Sequence, residues 1–165
     1  MSERRLVPVL LTIALLAAVG GIAANSGDDD REFKAVLKGA NEVPPVTTDA
    51  SGKAEFEVNR DQTKIKFELT IRNATNILGA AGAHIHCAPA GQNGDVVAFL
   101  AGPVGGGFDG KVELEATLTA ANITNPACGA TIADLVQSMR DGNTYVNAHS
   151  PAFPGGEIRG QIEGD

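Results

Sequence analysis

Apolar and polar side chains alternate along most of the chain with a period of two. In "REFKAVLK" (31–38), Phe33, Ala35 and Leu37 alternate with charged neighbours, which predicts a half-buried strand. "KAEFEVN" (53–59) repeats the pattern through Ala54, Phe56 and Val58, and "TKIKFELTIR" (63–72) through Ile65, Phe67, Leu69 and Ile71. Only "RDQ" separates these two runs, so they predict an antiparallel hairpin. Between the first run and the second lies "GANEVPPVTTDASG" (39–52), where Pro44 and Pro45 exclude a central strand.

The second half keeps the same period with more interruptions. "GAHIHCA" (82–88) places Ala83, Ile85 and Cys87 on one strand face and His84 and His86 on the other. "PAGQNG" (89–94) is turn chemistry, and "DVVAFLAG" (95–102) is a short apolar strand. After the glycine-rich "PVGGGFDG", "KVELEATLT" (111–119) alternates through Val112, Leu114, Ala116 and Leu118. Helical spacing occurs once, in "TIADLVQSMRDG" (131–142): Ile132, Leu135, Val136 and Met139 share a face, Thr131 caps the start and Gly142 ends it. "TYVNAHS" (144–150) and "GEIRGQIEG" (156–164) close the chain as strands. About eight strands and one short helix predict an all-β fold, a Greek-key β-sandwich over residues 32–165.

The N-terminus breaks the pattern. Arg4 and Arg5 precede an uncharged run from Leu6 to Ala24, followed by small residues suited to cleavage. Residues 1–24 therefore read as a secretory signal peptide. The run also has the length of a membrane-spanning anchor, and both alternatives stand. In either case the basic residues before the run orient the domain outward, secreted or anchored to the membrane. Residues 25–31 form a charged spacer.

The net charge is −7, and losing the leader removes two arginines and one glutamate, so the domain is acidic. No basic patch remains, which argues against nucleic acid as a partner. Aromatics make up 4 % of the chain with no Trp, so aliphatic residues and six Phe must build the core. The two cysteines, Cys87 and Cys128, are expected to form a disulfide in an exported domain. Cys87 as a metal ligand beside His86 is the weaker alternative, because adjacent strand residues face opposite ways. "NAT" at Asn73 and "NIT" at Asn122 are sequons for N-glycosylation in hosts that perform it.

All three histidines lie in two strands. His84 and His86, two residues apart, share a face and can close on one ion, and His149 is the remaining nitrogen donor for a three-histidine site. Such a donor set suits copper, zinc or iron. Asn147, Glu42, Glu157 and Arg159 are candidates to support the ligand rings, the first three by holding the ring nitrogens that face away from the metal. The competing reading is three half-exposed histidines that hydrogen-bond to loops. Glu157 and Arg159 share a strand face and are expected to pair at the surface, where an ion pair adds little. Ser150 directly follows His149, so the two side chains diverge, and no G-x-S-x-G elbow exists.

"FKAVLKGANEVPPVTTDASGKAEFEVN", "GAHIHCAPAGQNGDVVAFL" and "YVNAHSPAFPGGEIRGQI" together resemble the chordin-type CHRD domain over about residues 33–162. The resemblance implies an exported β-sandwich module, and an extracellular protein or surface ligand of unknown identity is the expected partner. A fainter similarity is to copper/zinc superoxide dismutases. It implies that His84 and His86 match the first copper pair, His149 the late copper histidine, and Arg159 an anion-guiding arginine. The metal-bridging and zinc-loop histidines of that family have no counterpart here. Three readings follow: a non-catalytic metal-binding module, a copper redox enzyme, and a purely structural or adhesive domain.

Overall fold

The computed structural model describes residues 31–165; the leader or anchor expected over residues 1–24 and nearly all of the spacer lie outside them. The strands are β1 (Glu32–Lys38), β2 (Ser51–Val58), β3 (Lys64–Ile77), β4 (Ala83–Cys87), β5 (Asp95–Ala101), β6 (Phe108–Thr119), β7 (Thr144–Ser150), β8 (Phe153–Gln161) and the two-residue β9 (Glu163–Gly164). Among the described residues one α-helix, α1 (Ile132–Arg140), lies between β6 and β7. The all-β expectation with a single short helix holds, and β9 is the strand that alternation did not separate from β8. Among the described residues no helix is long and apolar enough to cross a membrane.

All pairings are antiparallel, in the order β5-β4-β7-β8-β1-β2-β3-β6, with β9 added beside β1. The two layers expected of a sandwich are thus two halves of one sheet. They join where β8 meets β1, through the single register pair Lys38–Arg159. Gly160 permits this approach, since a Cβ there would lie 2.5 Å from the Val36 carbonyl oxygen. At the opposite side, one isolated bridge between Ala98 of β5 and Ile123 nearly closes the sheet.

One core fills the space between the halves. Phe33, Phe56 and Phe67 sit in register across β1, β2 and β3, and Ala35, Ala54 and Leu69 form the next row. Side chains directly opposite on one face pack best, which is why the alternation holds through β1, β2 and β3 as far as Ile71. Ile85, Val146 and Ile158 supply the facing half. Helix α1 adds Ile132, Leu135, Val136 and Met139, and begins with a capping box in which Thr131 and Asp134 satisfy each other's backbone N–H. In β6 the alternation is incomplete. Val112 and Leu118 are buried, Leu114 is half-buried and Ala116 is exposed, because this terminal strand of the sheet is paired on one edge only.

Cys87 and Cys128 are bonded, tying the end of β4 to the turn before α1. Linking positions separated by 41 residues restricts the unfolded chain by about 4 kcal/mol on the chain-entropy estimate. A Cys87→Ala/Cys128→Ala variant is therefore expected to unfold at lower urea concentration, with a stability loss of about 3–4 kcal/mol. An unchanged unfolding midpoint would show that the link constrains nothing.

Candidate metal centre

The histidine-bearing face of β4 is not open to solvent, which sets aside the half-exposed rings of the competing reading. His84, His86 and His149 are 3 %, 8 % and 6 % exposed. Register explains how a strand face with this composition assembles. His84 of β4 lies opposite Asn147 of β7, which lies opposite Arg159 of β8. The adjacent row is His86, Tyr145 and Gln161. This second face carries its own packed polar layer, covered by the segments around Val43, Pro89–Gly94 and Pro151–Pro154.

Each ring donates one N–H to a backbone carbonyl. His84 Nε2 reaches the Ala81 oxygen at 2.9 Å, His86 Nδ1 the Gly94 oxygen at 2.9 Å, and His149 Nδ1 the Pro154 oxygen at 3.0 Å. A carbonyl only accepts, so these bonds place the proton of each neutral imidazole on the outward nitrogen. The remaining nitrogens, His84 Nδ1, His86 Nε2 and His149 Nε2, present lone pairs to one another within 4.8 Å. His84 Nδ1 lies 3.1 Å from His149 Nε2, and Asn147 Oδ1 lies 3.0 Å from the same Nε2. His86 Nε2 is buried without any hydrogen-bond partner. Three imidazole lone pairs and the Asn147 side-chain amide thus converge, and among the described residues the His86 Nε2 lone pair has no donor.

A proton is a poor remedy for that deficit. Burial, and then the neighbouring His149 and His86, push His84 down to about 4. Burial is also the main cause that lowers His86 and His149. A cation bonded to the lone pairs fits this donor set better, since neutral imidazoles with fixed tautomers are what zinc and copper take. Three nitrogens leave room for a further ligand on a four-coordinate ion.

The surrounding groups fix the rings. His86 stacks on Tyr145 at 4.7 Å, Arg159 lies over the Tyr145 ring at 3.4 Å, and Phe99 meets His84 edge-on at 4.5 Å. Arg159 donates to the Gln92 carbonyl at 2.6 Å and to Asn93 Oδ1 at 3.0 Å, while Asn93 Nδ2 donates to the Val43 carbonyl at 2.8 Å. These bonds hold the 89–94 segment over the layer. In the sequence Tyr145, Gln92, Asn93 and Gly94 stand out only as strand and turn residues; the P-A-G-Q-N-G cluster signals a turn and carries no mark of what it covers.

Of the four supporting residues considered, Asn147 stands among the lone pairs and Arg159 acts through Tyr145. Glu42 and Glu157 make no hydrogen bond to a histidine, and the backbone carbonyls hold the rings instead. The expected surface pair of Glu157 and Arg159 is corrected: they are 4 % and 2 % exposed and do not pair. Glu157 accepts from Thr48 Oγ1 at 2.7 Å. Burial raises Glu42 to about 7 against the opposing pull of Arg159. Asn73 and Asn122 are both exposed.

Residues 33–162 match the sequence profile of the CHRD domain. No curated protein matches the chain.

The shifted groups set the acid response of metal-free protein. The histidines gain protons in the unfolded chain near pH 6.5 but at lower pH in the fold, so their contribution is lost as pH falls through about 6.5. Glu42 acts oppositely: it ionises near 4.5 unfolded and about 7 folded, so its contribution is lost as pH rises between those values. Three groups oppose one. Urea-unfolding stability is expected to fall from about pH 6.5 to about pH 4.5, and more steeply in Glu42→Gln. A profile that is flat or rises on acidification would contradict this balance.

Proposed function

This chain belongs to the CHRD domain family, and on that premise we propose that it is a non-catalytic extracellular module that holds one copper or zinc ion through His84, His86 and His149. The supporting observation is the convergence of three neutral, tautomer-fixed imidazole lone pairs, one without any partner, in a layer closed to solvent. His84 Nδ1, His86 Nε2 and His149 Nε2 are the ligand atoms on this reading. The ion would neutralise the excess of acceptors and tie β4 to β7, while Asn147 and the Ala81, Gly94 and Pro154 carbonyls keep the rings oriented. The disulfide and the family both agree with a place outside the cytoplasm. On this reading residues 1–24 export the domain or anchor it to the membrane, leaving its acidic surface to meet an extracellular protein or surface ligand.

A second reading, a superoxide dismutase-like copper enzyme, is favoured by one feature. Three nitrogen ligands leave a coordination position for a reacting molecule. The covering segments argue against it, because they close the site to a freely exchanging substrate. The third reading, a structural or adhesive domain whose histidines only pack, leaves the orphaned His86 Nε2 without a role.

Purified protein is expected to retain one transition-metal ion per chain, and His84→Ala or His149→Ala to lose it. Metal added to the stripped protein should raise its stability, by about 4 kcal/mol at a thousandfold excess over Kd. Equal metal content in wild type and both variants would refute the site. Stability indifferent to chelator and to added Cu²⁺ or Zn²⁺ would favour the structural reading. Consumption of superoxide by copper-loaded protein would replace the non-catalytic reading with the enzymatic one.

A further inference from the structure

A cleft of about 250 Å³ opens between the β3 end of one half of the sheet and the β7–β8 turn of the other. Its walls include Thr48, Asp49, Asn73, Asn76, Ser150 and Glu157, and among the described residues no lysine, arginine or histidine lines it. Two of these side chains are almost fully buried yet incompletely satisfied. Glu157, 4 % exposed, uses Oε1 for Thr48 and has no partner at Oε2. Ser150, 1 % exposed, has no partner at Oγ.

Local structure builds this arrangement. Gly39 lets the 46–48 segment approach β8, since a Cβ there would lie 2.7 Å from Thr48 Cγ2 and 3.3 Å from the Glu157 carbonyl oxygen. Thr48 is then within reach of Glu157 and fixes one of its oxygens. In β3 the register with β6 shifts twice after Ile71, and Asn73 and Asn76 take positive φ values of 54° and 50°. Bulges re-aim side chains, and asparagine tolerates this conformation better than most residues. Both asparagines thereby stand on the exposed rim of the cleft with Asp49.

A buried carboxyl oxygen with no protein donor calls for a proton, a water or a cation, and a cleft that gathers oxygen atoms from several segments offers the cation further ligands. We infer that this cleft binds Ca²⁺, with Glu157 Oε2 and Ser150 Oγ at its floor and Asp49 and the asparagine amides at its rim. Every candidate donor is oxygen, which suits a hard ion and not the soft or borderline metals of the histidine cluster. The ligands come from separate loops in a roomy cleft, a setting that matches the variable coordination of calcium better than the compact octahedron of magnesium. A neutral ligand such as a sugar would leave the Glu157 charge uncompensated.

The full chain, made in a host without N-glycosylation so that Asn73 stays bare, is titrated with Ca²⁺ by calorimetry. One site per chain is expected, with Kd of roughly 10⁻⁴–10⁻³ M as in extracellular modules. Glu157→Gln and the exposed Asp49→Asn should each weaken binding about tenfold or more, and His84→Ala should leave it unchanged. Glu157→Gln should also melt higher than wild type without Ca²⁺, and lose the Ca²⁺-dependent rise in Tm. No heat or Tm change with millimolar Ca²⁺, or undiminished binding in both acidic-site variants, overturns the inference. Loss of Ca²⁺ binding in His84→Ala would assign the ion to the histidine cluster and overturn it equally.

Discussion

A strand buried on both faces must satisfy two environments at once, and β7 is such a strand: all seven residues from Thr144 to Ser150 are buried. One face, with Val146 and Ala148, belongs to the hydrocarbon core. The other carries Tyr145, Asn147 and His149 into a layer where every polar group needs a partner or incurs a desolvation cost of a few kcal/mol. That requirement governs the neighbours. β4 brings histidines, β8 brings Arg159 and Glu157, and the covering segments contribute backbone carbonyls as acceptors. The layer uses its donors on those carbonyls and is left with acceptors facing inward.

The covering segments are held from several directions. Cys87 is bonded to Cys128 at the start of the 88–94 segment. Arg159 grips Gln92 and Asn93 in its middle, and Gly94 at its end accepts from His86 and donates to the Tyr145 hydroxyl at 3.3 Å. Arg159 is itself sequestered, so losing it would release the segment and also leave Tyr145 unsupported. The polar layer is therefore a network whose members depend on one another more than on any single strong bond.

How much of this was legible from residues alone depended on whether the information was local. Alternation placed β1, β2 and the regular part of β3 because each Phe or Ile faces a partner in register. The helix was legible because its cap, its apolar spacing and its glycine stop lie within twelve residues. The turn of His84 and His86 to one face followed from the period of a strand. What covers that face did not, because the Pro89–Gly94 segment reads as an ordinary turn, and only tertiary contact shows that its carbonyl oxygens select the histidine tautomers. Glu157 and Arg159 illustrate the same limit. Two opposite charges on one strand face suggest a surface pair, yet one is directed toward Thr48 and the other toward Tyr145 and Asn93. The extra length of β3 was missed because its two bulges destroy the period used to detect it.

Burial of the histidine cluster beneath anchored backbone separates how tightly an ion is held from how quickly it exchanges. With the rings 3–8 % exposed, an ion bound there as proposed would enter or leave only when a covering segment lifts. The rate is then set by local opening, slower than diffusion by many orders of magnitude, rather than by the strength of the metal–nitrogen bonds. A domain built this way would acquire its ion as it folds and keep it through its working life, so the ion would behave as a part of the fold and not as cargo.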